Sequence, residues 1–137
     1  FLIANPDDAA AILQAESPDD SWATLELDGV DPVKLDVLYE IVAGVVHDKD
    51  APEQVSLLAG DEEGGQIVFG LSSAVIQALA DVREEQIPRI AEEWLASDDM
   101  DPDLASEDWA KEAIGLLSAH ARLAAASGKV MLLHMVL

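Results

Sequence analysis

Apolar and polar positions recur along this chain with two periods, and the switches between them mark out strands and helices. Phe1-Leu2-Ile3-Ala4 is apolar throughout and too short for a helix, so it reads as a buried strand. Asn5-Pro6-Asp7-Asp8 then carries a capping Asn, a Pro suited to the first helical position and two carboxylates for the positive helix end. The helix it opens carries Ala9, Ile12 and Leu13 and stops near Ser17-Pro18. From Trp22 to Leu27 the pattern alternates, with Ala23, Leu25 and Leu27 on one side and Trp22, Thr24 and Glu26 on the other, as in a strand.

Asp31-Pro32 repeats the helix-start signal. The helix after it has two apolar series, Val33-Val37-Ile41-Val45 and Leu35-Leu38-Val42, with Gly44 as its terminator. Residues 55–59 and 66–69 flank Gly60-Asp61-Glu62-Glu63-Gly64-Gly65 and predict a β-hairpin with an acidic tip. Ser72 or Ser73 caps a helix to Ala80, and Asp81 with Glu84 has the spacing of a capping box for a further helix to about residue 96. Pro88 inside that span must kink or restart it. Ser106 opens the longest helix, over about residues 107–127, and Gly128 stands at its C′ position. The last segment is apolar on both faces, Val130, Leu132 and Val136 against Met131, Leu133, Met135 and Leu137, which predicts a central strand.

The order is β-α-β-α-β-β-α-α-α-β. It predicts a single α+β domain over residues 1–137, with a mixed, mostly antiparallel sheet of about five strands and helices in a second layer.

Charge changes the functional picture more than the fold. Asp and Glu number 28 against 7 Lys and Arg, a net charge of −21. A nucleic-acid reader needs a basic stripe and an anionic membrane attracts basic segments, so neither partner is expected. On a folded chain of this size the excess is one charge per about 330 Å², or roughly 18 Å between charges, about twice the screening length in physiological salt. Such a surface suits either a salt-adapted protein or an acidic face for a basic protein partner. The four lysines fit a high-salt or high-GC bacterial source. There is no cysteine, so disulfide and thiolate chemistry are excluded. No apolar run reaches the ~18 residues of a membrane span, and no basic stretch leads into an apolar one as in a signal peptide. A cytoplasmic location is expected.

Gly70-Leu71-Ser72-Ser73-Ala74 resembles a loosened nucleophile elbow with Ala where a second Gly belongs, but Ser before a helix is the standard N-cap. Asp99-Met100-Asp101-Pro102-Asp103 has the alternating carboxylates of a calcium loop, yet Leu104 replaces the turn Gly and Ala110 the bidentate Glu. The three histidines lack zinc-ligand spacing, so no metal and no cofactor is expected. Trp109, Ala113, Leu116, Leu117, His120 and Ala124 share one helical stripe, and His134 sits in an apolar strand. Two inward histidines could line a pocket with Trp109 or titrate as a pair; the plainer reading is two core histidines, each with one bonded nitrogen. Adjacent carboxylates such as Glu84-Glu85 and Glu92-Glu93 diverge by about 100° on a helix and form a solvated face, not an acid/base pair.

Residues 117–137, a long helix, a Gly stop and a final apolar strand, resemble the end of the YfbM-like family of bacterial domains. The strand, Ser cap and helix over residues 67–79 and the opening residues 1–13 are similar to it as well. The chain departs at Asp31-Pro32-Val33-Lys34, where such relatives carry a Trp-His pair entering an early helix. The resemblance implies the α+β fold and no activity. The expected function is a non-catalytic protein-binding module, immunity-type or regulatory, using Asp61, Glu62, Glu63, Asp98, Asp99, Asp101 and Asp103 against a basic partner. The competing expectation is a small-molecule or enzymatic pocket containing His120 or His134.

Overall fold

The computed structural model describes residues 1–14, 22–25, 27, 30–44, 55–61, 65–97 and 106–136. Chain order is β1 (Leu2–Ala4), a 3-10 turn (Pro6–Asp8), α1 (Ala9–Gln14), β2 (Ala23–Thr24), α2 (Pro32–Ala43), β3 (Val55–Asp61), β4 (Gln66–Leu71), α3 (Ser73–Ala80), a 3-10 turn (Glu84–Gln86), α4 (Ile87–Leu95), α5 (Glu107–Ser127) and β5 (Val130–Val136). The strands form a single sheet in the order β2-β1-β5-β4-β3, and the α+β expectation holds. Every pairing is antiparallel, so the expected mixed sheet has no parallel pair. The final strand is central, as its two apolar faces require.

Local signals set most helix ends. Asp31 and Ser106 accept the backbone N–H of the residue three ahead, Lys34 at 2.8 Å and Trp109 at 3.1 Å. Gly44 and Gly128 close α2 and α5 in the left-handed region, at φ 69° and 68°, where a Cβ would be strained. Two expected starts differ. Asn5-Pro6 first makes the 3-10 turn, in which the Asn5 N–H donates to the Asp8 carboxylate at 3.0 Å. The second box forms at Arg83 and Gln86, the Arg83 N–H donating to Gln86 Oε1 at 3.0 Å. Asp81 instead accepts from the Gln77 side chain, and Pro88 stands in the first turn of α4, where its missing N–H costs nothing.

The core has two parts, one on each sheet face. Ile3, Leu71, Met131 and Leu133 pack under α2, α3, α4 and α5 with Leu35, Leu79, Ile90, Trp94, Ile114 and Leu117. Leu2, Val68 and Leu132 point the other way and meet Ala9 and Ile12 of α1. The expected second layer is therefore joined by a third, because the period of two leaves apolar side chains on both faces of β5 and both must be covered. The stripe of α5 is wider than its expected line, with Ala113, Leu117, His120 and Ala124 buried as expected and a second row beside them. Ala110, Ile114, Ser118 and Ala121 are buried, while Leu116 is more than a third exposed.

Ser118 is buried in α5 with no hydrogen-bond partner for its hydroxyl among the described residues. Ser118→Ala removes an unpaired polar atom and improves helix propensity, so it should stabilise the protein by about 1 kcal/mol in urea denaturation. A loss of stability would show that the hydroxyl is satisfied.

Candidate functional site

His120 projects from α5 onto the face of the sheet that carries β1. It is only 7% exposed, and its Nε2 has no partner among the described residues. Burial holds the imidazole below its ordinary pKa. His134 lies opposite Val68 in the β4–β5 ladder, on the α1 side with Leu132. Its Nε2–H bonds Gln66 Oε1 at 2.9 Å, a diagonal cross-strand pair on one face. Burial again lowers the pKa.

The sheet thus separates the two histidines, which cannot line one pocket or titrate as a contacting pair. Trp109 stands three turns of α5 from His120, about 16 Å along the axis, stacked on Trp94 at 5.5 Å between ring centroids. Two surface depressions of about 290 Å³ each are lined by other groups. One lies between α2, α3 and α4, around Val42, Val82 and Arg89. The other lies beside β1 and the end of α5, around Ile3, Trp22 and Leu123. Ser72 Oγ accepts the Val75 N–H at 3.3 Å, the cap geometry expected of Ser before a helix.

A neutral buried His120 makes folding pH-dependent. Its unfolded-state value near 6.5 exceeds its folded value, so the contribution is complete above pH 7 and is lost as pH falls through the folded value. The stability gap between wild type and His120→Gln should therefore narrow below pH ~6.5. Urea midpoints from pH 8 to 5 test this, and a constant gap overturns it.

The acidic residues divide differently. Asp61 ends β3, and Glu62, Glu63, Asp98, Asp99, Asp101 and Asp103 lie outside the described residues. The connection holding the four aspartates is anchored between α4 and α5, whose ends expose Glu92, Glu93, Glu107, Asp108 and Glu112. From residue 92 to 112 the sequence places nine carboxylates against one cation, Lys111. Lys111 is engaged by Glu107 at 2.8 Å, a bond that holds the Glu107 carboxyl below its ordinary pKa. Glu93 meets Arg89 only at 4.0 Å, and both are about half exposed or more. The flanking carboxylates of α4 and α5 carried a signal in the sequence, but their adjacent pairs read there as a generic solvated face.

Among the described residues no cluster of three His, Asp or Glu could hold a metal, and no helix is long and apolar enough to cross a membrane. The class defined by fold and surface is an antiparallel α+β domain, helix-covered on both faces, with an acidic helical end. No family model, curated protein or solved structure matches this chain.

Proposed function

We propose that the protein is a non-catalytic binding module whose acidic end, where α4 passes to α5, takes a basic protein. The observation that supports this is the last turn of α4. It carries Glu92 and Glu93, both exposed, and no basic residue. That end of a helix is its negative pole, so each carboxylate there costs a few tenths of a kcal/mol that a basic or neutral residue would not. A surface selected for solubility alone can place its charge at helix N-termini, as Glu107 and Asp108 of α5 do at no such cost. Local rules are broken in this way where a surface serves recognition.

The test compares wild type with a variant carrying Glu92→Gln, Glu93→Gln and Glu112→Gln. Tagged protein is used to capture partners from source lysate at ~50 mM salt and is washed at ~300 mM. A basic protein held by wild type, released by salt and missed by the variant supports the module. Retention insensitive to salt and to the three substitutions counts against it. If the charge is salt adaptation, stability rises with salt and no partner is held.

A further inference from the structure

Among the described residues β3 is an edge strand: it pairs with β4 alone, and none of them bonds the backbone groups that face away from that ladder. In an antiparallel pair alternate residues direct both N–H and C=O outward, so this edge presents a row of donors and acceptors that no described residue pairs. The strand has no Pro, Lys or Arg over Val55–Asp61, the residues that commonly blunt such an edge. Its one protective feature is a bulge between Leu57 and Ala59. The bulge turns Leu58 onto Gly70 of β4, where a Cβ would stand 2.8 Å from the leucine's Cδ1. Leu57 is 64% exposed and Leu58 39%, two of the five large apolar side chains left exposed among the described residues, and they sit side by side on this edge. Leu57 lies on the side of Phe69 and Leu58 on the side of Gly70, so apolar surface is offered on both faces.

We infer that the outer edge of β3 takes an extended segment of the partner as a sixth strand, apolar at its centre and flanked by Lys or Arg. Main-chain hydrogen bonds to this edge supply affinity, and Leu57 and Leu58 select apolar side chains on either face of the added strand. Charge decides the occupant. The strand is bounded in sequence by Glu53 before it and by Asp61, Glu62 and Glu63 after it. A second copy would join two chains of −21 each. A segment with cationic flanks meets opposite charge on a chain whose sequence is acidic on both sides of this strand. The inference rests on the basic-partner reading for the partner's charge, and adds a second contact on β3 and the conformation the partner takes there.

The probe is a synthetic peptide of about ten residues, alternating Val and Thr between paired lysines, with a control of equal charge interrupted by proline. Each is titrated against the full chain by calorimetry, and amide hydrogen exchange is read with and without it. The expected result is slowed exchange over residues 55–61 with the first peptide and not with the second. Leu57→Lys with Leu58→Lys, both at exposed positions, should weaken binding roughly tenfold or more without changing the fold. Equal binding of the two peptides, or protection confined to residues 92–112, overturns strand addition while leaving the acidic module standing. If neither peptide binds at low salt, both readings fail.

Discussion

Replacing Trp94 by alanine is expected to remove about 3–5 kcal/mol of stability, the range for deleting a buried aromatic from a packed core. Trp94 is fully buried on α4 and touches two other helices: its ring stacks on Trp109 of α5, and its Nε1–H donates to the Lys34 carbonyl of α2 at 3.1 Å. The indole joins α2, α4 and α5 at one point, so its loss opens a cavity that those helices can close only by moving together. Trp94→Phe separates the two contributions. It keeps an aromatic ring in place and deletes the hydrogen bond, and the Lys34 carbonyl retains its helical partner, so the cost should be about 1–2 kcal/mol. Urea denaturation followed by far-UV circular dichroism measures both. A phenylalanine variant as unstable as the alanine one would assign the energy to the bond instead of the packing.

Arg122→Met should cost about 2–3 kcal/mol. The guanidinium reaches from α5 to the end of α3, its Nε donating to the Ala80 carbonyl at 3.0 Å and its Nη2 to the Val82 carbonyl at 2.6 Å. The last carbonyls of a helix have no intrahelical donor, and α3 has no basic residue in its own last turn. A cation from another helix satisfies them and complements the negative pole. Arg122→Lys preserves charge without the fork that spans two carbonyls, so it should recover less than half of the loss. Stability within ~0.5 kcal/mol of wild type in the methionine variant would mean that water replaces the guanidinium without cost.

The caps at Asp31, Ser72 and Ser106 and the glycine stops at 44 and 128 were legible because each depends on residues within one turn of the chain. The β3–β4 hairpin and the central position of β5 were legible from alternation alone. The competing start at Arg83 was not, since Asp81-Glu84 and Arg83-Gln86 both have box spacing, and Asp81 was drawn to Gln77 instead. Nor was the full width of the α5 stripe legible. Leu116 and Ile114 are equally apolar, and the one buried is the one that α3, α4 and the sheet meet.

The candidate site divides along the same line. Composition alone determined the net charge of −21, from which no nucleic-acid partner is expected, since net charge needs no coordinates. The tertiary structure decided that His120 and His134 are separated by the sheet, because a strand's two faces are indistinguishable until something packs on each. It decided that the carboxylates of α4 and α5 gather at one end, because two helices joined by a connection share that end. It also decided that Leu57 and Leu58 stand on the strand at the edge of the described sheet. Alternation shows that a segment is a strand, but which strand is left without a neighbour depends on the order of all five.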